Sequence, residues 1–195
     1  MAPARFLVVS LGNNGRFFSC RHSIGHFALD AARGILAPSQ PLSSEPWGGK
    51  SCMASSAEPF TFIQSPTLMN NCGPWVLAAW RDMLRRHHLQ PSDVSLVLVH
   101  DELEQQFSSV RTRDWGASPR GHNGVKSVHA SLASLKFPKD HWSRISVGIG
   151  RPEERTPEAV SEYVLANLSS AQKQKIETVA GPRVVNALLQ LQEGE

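Results

Sequence analysis

The chain has 195 residues, which suits one compact domain with a sizeable core, and its 41% apolar and 19% charged residues predict a soluble globular protein. Lys and Arg total 20 against 17 Asp and Glu, a net charge of +3 that permits a polyanionic partner without requiring one. No apolar run approaches the roughly 20 residues that span a bilayer, so we expect no membrane partner.

Cysteine usage and the N-terminus bear on the compartment. Cys20, Cys52 and Cys72 are odd in number and form no C-x-x-C motif, which predicts a reducing intracellular compartment. Residues 1–4 lead almost at once into the apolar stretch 6–9, and a cleaved presequence would have to remove this predicted core strand. We therefore expect no targeting segment and a cytoplasmic or mitochondrial location.

The first predicted unit is a strand, a turn and a helix. Residues 5–11, RFLVVSL, form a short apolar run that ends in glycine and asparagine, which is typical of a buried strand followed by a turn. Residues 23–33 carry apolar side chains at helical spacing, and Gly34 is the predicted C-cap. Residues 35–58 are rich in Pro, Ser and Gly and predict a surface loop or a partly ordered insertion.

Strands and helices continue to alternate in the rest of the chain. The predicted elements are strand 60–64, helix 70–88, strand 94–99, strand 110–113, helix 123–135 and strand 145–149. Residues 94–99 are β-branched or leucine for the most part, as expected of a central parallel strand. Ser169 and Gln172 form a capping box for a last helix, which should kink or break at Gly181-Pro182.

This alternation predicts the fold class. We expect a single α/β domain over residues 1–195, with one twisted, mixed and mainly parallel sheet and helices on both faces. In such sheets, functional sites lie beyond the carboxyl ends of the strands and at helix N-termini. Five segments satisfy that rule: Gly12-Asn13, Arg21-His22, Met69-Asn70, His100-Asp101-Glu102 and Gly121-His122-Asn123-Gly124.

The residue types in these segments suit hydrolysis by an activated water. A neutral imidazole, with an ordinary pKa near 6.5, accepts a proton from water at cellular pH. A carboxylate on the other ring nitrogen fixes the tautomer and favours the imidazolium that forms. Asparagine can donate to a carbonyl that becomes an oxyanion. The chain has no G-x-S-x-G motif, so water is favoured as the nucleophile over serine.

Several simpler interpretations stay open at this point. Loop histidines and asparagines often serve only in turns or caps, and Asp101 could be such a residue. Residues 9–15 resemble a dinucleotide-binding loop but lack the G-x-G-x-x-G pattern. His22 and His26 are four residues apart, as in zinc-binding helices, but the glutamate of H-E-x-x-H is missing and no third ligand is evident.

Six motifs in order give the chain a family resemblance. They resemble the bacterial-type peptidyl-tRNA hydrolase family from about residue 5 to about residue 190. The motifs are Leu11-Gly12-Asn13-Asn14-Gly15, Arg21-His22-Ser23-Ile24-Gly25, Leu68-Met69-Asn70-Asn71-Cys72-Gly73, His100-Asp101-Glu102-Leu103, Gly121-His122-Asn123-Gly124-Val125-Lys126 and Val147-Gly148-Ile149-Gly150-Arg151-Pro152. We expect a eukaryotic member of the family, with a fungal one as the narrower expectation.

The resemblance implies roles for individual residues. It implies that His22 is the base that activates water, that Asp101 orients His22, and that Asn13 holds the substrate near the scissile ester. It also implies a substrate-binding group, which comprises Asn70, Asn123, Met69 and His122.

The resemblance further implies the substrate. Arg111 and Arg113 fall where the family grips the 5′ phosphate of tRNA, a role that suits the planar guanidinium. The implied activity is hydrolysis of the ester between peptide and tRNA by a monomer, with no metal or organic cofactor. The alternative is an RNA- or ribosome-associated binding protein on the same fold, for which catalysis is dispensable.

Overall fold

The computed structural model describes residues 5–136 and 139–194 of the chain. Its strands are β1 (Arg5–Ser10), β2 (Ser43–Trp47), β3 (Lys50–Ala57), β4 (Phe60–Gln64), β5 (Val94–Glu102), β6 (Val110–Asp114) and β7 (Ser143–Gly148). Its helices are α1 (Ile24–Leu36), α2 (Gly73–His87), α3 (Asn123–Leu132), α4 (Pro157–Leu165), α5 (Ser170–Lys175) and α6 (Gly181–Glu193). These elements form the single α/β domain that the sequence predicts.

The strands form one mixed sheet in the order β2-β3-β4-β1-β5-β7-β6. The central strands β4, β1, β5 and β7 pair in parallel, while β3 and β6 run antiparallel to their neighbours. The carboxyl ends of the four parallel strands therefore meet at one edge of the sheet, hereafter the carboxyl edge. This is the edge at which the sequence rule places the functional segments.

Helices cover both faces of the sheet, as expected. On one face α2 and α3 pack over Leu7 and Val9 of β1, and on the other α1 and α6 pack over Phe6 and Val8. Because β1 and β5 are buried on both faces, their sequences are continuous apolar runs and do not alternate with polar residues.

Two glycines bring helices α2 and α3 together at the carboxyl edge. A Cβ added to Gly73 would lie 2.0 Å from the carbonyl oxygen of Ser127, so only glycine permits this approach. A Cβ on Gly124 would lie 2.4 Å from Sδ of Met69. The turn at Met69–Asn71 is therefore held against the start of α3, and two of the predicted site segments become neighbours.

The loop interpretation of residues 35–58 is wrong. Most of this segment is a β-hairpin, β2–β3, that extends the sheet beyond β4. Gly48 and Gly49 form its two-residue turn with φ of +57° and +75°, the conformation that favours glycine in tight hairpins. Trp47 anchors the hairpin, since its side chain is buried and its carbonyl accepts a hydrogen bond from Trp75 Nε1 at 2.8 Å.

Two element boundaries also differ from the sequence prediction. Helix α1 runs past Gly34 to Leu36, so Gly34 is not its C-cap. The last helix begins at the predicted capping box of Ser169 and Gln172, but its irregularity is a π-helical turn at Ile176–Ala180, just before Gly181-Pro182. No helix in the described ranges is both long and apolar enough to cross a membrane.

Candidate active site

A histidine and an aspartate lie in contact at the carboxyl edge. Asp101 is near the end of β5, and His22 lies in the short turn of helix that precedes α1. Nδ1 of His22 is 2.8 Å from Oδ1 of Asp101. The Asp101 side chain is 4% exposed and the His22 side chain 18%, so the carboxylate is sealed while the imidazole reaches the surface.

The contact between His22 and Asp101 shifts the pKa of each residue in the direction that a general base requires. Burial alone would raise the pKa of Asp101, but its electrostatic interactions and hydrogen bonds with the imidazoles of His22 and His122 hold it well below its usual range. Burial lowers the pKa of His22, and the charge and hydrogen bond of Asp101 more than offset this, so that the pKa lies above its ordinary value. Nδ1 faces the carboxylate, and no group in the described ranges bonds to Nε2, which is therefore available to a water.

A second imidazole shares the same carboxylate oxygen. Nε2 of His122 lies 2.8 Å from Oδ1 of Asp101, and Nδ1 of His122 accepts the backbone N–H of Val125 at 3.2 Å. Because Nδ1 accepts, the ring proton of the neutral imidazole is on Nε2 and is donated to Asp101. His122 thus caps α3 and holds Asp101 in place.

His100 supports this arrangement through contacts with both Asp101 and His122. Its Nδ1–H donates to the backbone carbonyl of Asp101 at 2.7 Å, and its ring lies edge-on to that of His122 with centroids 4.9 Å apart. Burial, with a smaller effect from His122, lowers the pKa of His100 to about 3 and keeps it neutral. The sequence interpretation gave His100 no role, although it lies in the motif that supplies Asp101.

Asn13 lies beside the pair with one end of its amide fixed. Its Oδ1 accepts the backbone N–H of Met69 at 2.9 Å, and its own N–H donates to Ser23 Oγ at 2.9 Å. No group in the described part of the chain takes the Nδ2 hydrogens, which can therefore serve a substrate carbonyl. Ser23, which the sequence interpretation missed, also donates to the carbonyl of Phe17 and so shapes this loop.

A cleft of about 370 Å³ opens over these groups. His22, Asp101, His122 and Asn123 line it. Its apolar wall is Leu103, Val160 and Val164, and its charged rim is Glu102, Glu104, Arg120 and Arg151. Four of the predicted site residues therefore meet in one cavity, although they come from three separate segments of the chain.

The other predicted residues lie beside the cleft. Met69 is buried against Gly124, and Asn70 is exposed in the neighbouring turn. Arg111 and Arg113 project from edge strand β6, two strands from Asp101. Arg111 is exposed, whereas Arg113 is partly buried with its Nη2 4.0 Å from the Glu102 carboxylate.

Among the described residues, His22, Asp101 and His122 also form the one cluster that could ligate a metal ion. The nearest ligand atoms of His22, Asp101 and His122 lie within 4.8 Å of one another. Nδ1 of His22 and Nε2 of His122 each donate to the same oxygen of Asp101, so hydrogen bonding satisfies the cluster without an ion. A metal would have to displace both of these protons.

Fold and site define an α/β protein with a histidine at the surface of a cleft, bonded to a buried carboxylate, at the carboxyl edge of its sheet. The family model described as peptidyl-tRNA hydrolase matches residues 7–194, and the chain belongs to this family. It is 35% identical to a probable peptidyl-tRNA hydrolase of Schizosaccharomyces pombe, over 95% of this chain and 82% of that protein. It is 34% identical to a peptidyl-tRNA hydrolase of Beijerinckia indica, over 97% of this chain and 87% of the relative.

Solved structures agree on the fold. A peptidyl-tRNA hydrolase in complex with N-propanol is similar with a TM-score of 0.72 and 23% identity, over 97% of this chain and 89% of that one. The enzyme of Acinetobacter baumannii gives a TM-score of 0.66 and 21% identity, over 98% and 96% of the two chains. These structures confirm the predicted fold class, and the match to the family model confirms the predicted family.

Proposed function

We propose that the chain hydrolyses peptidyl-tRNA, cleaving the ester between the peptide and the terminal ribose so that the tRNA can be used again. One observation carries the proposal: His22 is bonded at 2.8 Å to a buried aspartate and lines an open cleft. A protein that only binds RNA gains nothing from a buried carboxylate that raises the pKa of a cleft histidine. This is why the alternative, a catalytically dispensable RNA- or ribosome-associated protein, ranks second.

The mechanism follows from the direction of each side chain. Nε2 of His22 takes a proton from water while Asp101 stabilises the imidazolium, and the water oxygen attacks the ester carbonyl carbon. The oxyanion that forms can accept hydrogen bonds from Nδ2 of Asn13 and from the Asn123 side chain at the start of α3. The intermediate then breaks its bond to the ribose oxygen, which takes the proton back from His22.

This machinery is sufficient for the bond it is proposed to cut. An ester is more labile than an amide, and a positioned base contributes about 10²–10⁴-fold, to which orientation of the bound substrate adds. No covalent intermediate is needed. The apolar wall of Leu103, Val160 and Val164 offers a non-polar surface to the peptide. It makes no directional demand, so one site can accept peptides of any sequence.

The tRNA would be held mainly through its phosphates, by Arg111 and Arg113. Replacing both with alanine should raise KM by roughly tenfold and reduce its salt dependence. The variant neutralises fewer phosphates and therefore releases fewer counterions when it binds the tRNA. Arg111→Ala should have the larger effect, since Arg113 is already engaged with Glu102. Steady-state kinetics at several salt concentrations would measure both effects.

Arg85 provides the matched control for the double variant of Arg111 and Arg113. Arg85 is an exposed arginine on α2, paired with Asp82, and Arg85→Ala should leave KM and its salt dependence unchanged. A loss in the double variant that is confined to kcat would contradict the phosphate-binding role.

The activity itself is tested by release of a labelled acyl-amino acid from N-blocked aminoacyl-tRNA. The proposal predicts free acyl-amino acid and an intact tRNA that can be charged again. Binding of the tRNA without release would favour the alternative. We also propose that the protein works as a monomer, in the cytoplasm or in mitochondria.

A further inference from the structure

His26 is a buried imidazole that the proposed mechanism does not use. It lies in the first turn of α1, four residues after His22, and is 1% exposed. Nδ1 of His22 faces Asp101, whereas Nδ1 of His26 lies 2.8 Å from Oγ of Ser10, the last residue of β1. The spacing that resembles a zinc-binding helix therefore gives each histidine a different partner. Of the two, only His22 lines the catalytic cleft.

The His26 ring packs against the loop that carries Asn13. A Cβ added to Gly12 would lie 2.5 Å from both Cδ2 and Nε2 of the ring, so only glycine lets the backbone before Asn13 come this close. At the other end of the loop, Phe18 stacks on the imidazole, with ring centroids 5.6 Å apart and ring planes inclined at 19°. The loop of residues 12–18 thus folds around one buried side chain.

Two central strands hold His26 in place. Its backbone carbonyl accepts a hydrogen bond from Nε2 of Gln64 at 3.1 Å, while Ser10 bonds to its ring. Ser10 and Gln64 are the last residues of β1 and β4 and are partners in the register of the sheet. Burial lowers the pKa of His26 to about 4, so the ring is neutral at neutral pH and adds no charge to the site. The imidazole therefore links the ends of two strands to the loop.

The amide of Asn13 depends on the position of this loop. Its Oδ1 accepts from Met69 and its own N–H donates to Ser23, which fixes the direction of Nδ2 once the backbone is in place. The backbone at Gly12, which His26 contacts, sets that place. A donor to an oxyanion contributes through preorganisation, and misplacement by about 1 Å can cost on the order of 10²-fold in rate. A contact at residue 12 therefore acts on the chemical step although it does not reach the substrate.

We propose that His26 is a positioning residue for Asn13. The ring, held by Ser10, fixes the backbone at Gly12 and so aims Nδ2 of Asn13 at the oxyanion. In the described ranges His26 bonds to neither His22 nor Asp101, so it acts through the loop and not through the base. The inference rests on the proposed function, because the oxyanion belongs to that reaction.

A double-mutant cycle tests the link between His26 and Asn13. Asn13→Ala removes an oxyanion donor and should lower kcat by about 10²-fold or more. His26→Ala should lower kcat by roughly tenfold with little change in KM, since the base and the substrate contacts remain. In the Asn13→Ala background, His26→Ala should cost less than about twofold more, because the donor that it positions is absent. Losses that multiply would overturn the proposal.

The pH profile shows whether the effect reaches the base. The midpoint of the rise of kcat/KM with pH should be the same in His26→Ala as in the wild type, because His22 keeps its bond to Asp101. A shifted midpoint would place the effect at His22 and overturn the proposal.

Two further variants separate positioning from general destabilisation. Leu29→Ala removes a fully buried side chain from the same helix, so it should lower the unfolding temperature and leave kcat unchanged. Ser10→Ala keeps the imidazole and removes only its hydrogen bond. It should lower kcat in the same direction as His26→Ala, and it takes the place of that variant in the cycle if His26→Ala does not fold.

The outcomes distinguish this inference from the proposed function. A kcat equal to that of the wild type in both Ser10→Ala and His26→Ala would overturn the positioning role and leave the hydrolase assignment intact. If the wild type releases no acyl-amino acid, hydrogen exchange decides. The N–H of Met69 donates to Asn13, and its protection should fall about tenfold in Ser10→Ala relative to the amides of β5, which report global unfolding. Unchanged relative protection would overturn the inference.

Discussion

His22→Ala is expected to abolish release of acyl-amino acid from N-blocked aminoacyl-tRNA, with a loss of about 10²–10⁴-fold or more in kcat. The variant removes the one imidazole in the described ranges that bonds to Asp101 through Nδ1 and leaves its Nε2 without a partner in the cleft. The fold should persist, because the buried Asp101 carboxylate keeps its hydrogen bond to His122. Single-turnover assays measure the chemical step, and thermal unfolding and tRNA binding measure what is retained.

A histidine remote from the site provides the control for this variant. His87 lies at the end of α2, and His87→Ala should leave turnover unchanged. Turnover of His22→Ala within about tenfold of the wild type would contradict the role of His22 as the base.

Asp101→Asn is expected to have the second largest effect, a fall in kcat/KM of roughly 10²–10⁴-fold. Both His22 and His122 donate to the same Oδ1, and an asparagine oxygen in that place can still accept from both. Geometry and tautomer are therefore preserved, whereas the negative charge that stabilises the imidazolium is lost. The effect isolates the electrostatic contribution of the carboxylate.

The matched control is a carboxylate on the surface. Asp30 pairs with Arg33 one turn along α1 and is half exposed, so Asp30→Asn should change activity very little. Activity of Asp101→Asn close to that of the wild type would show that His22 does not depend on the charge of its partner.

Local patterns predicted much of this architecture. The apolar runs of β1 and β5 identify strands buried on both faces, and the Ser169–Gln172 capping box forms as expected. The rule that sites lie at the carboxyl ends of parallel strands brings His22, Asp101 and Asn123 to one cleft. These predictions hold because they depend on periodicity, caps and strand direction, which are local properties of the chain.

What the sequence did not predict depends on contacts between distant segments. The β2–β3 hairpin looks like a loop because Pro46 and the two turn glycines dominate its composition, and its register depends on the burial of Trp47. The hydrogen bond of His122 to Asp101 depends on the close approach of Gly124 to Met69. The pairing of Arg113 with Glu102 likewise joins residues on strands that are not neighbours in the sheet.

The pH dependence of kcat/KM tests the central claim most directly, because it measures the ionisation of the base in the free protein. His22 acts only when it is neutral, and Asp101 raises its pKa above 6.5. The value for the wild type should therefore rise with pH along a single-proton limb whose midpoint lies above 6.5. In Asp101→Asn the midpoint should move to lower pH, since only the effect of burial remains. A profile that is flat between about pH 5 and 8, or that falls as pH rises, would contradict the assignment of His22 as the base that activates water.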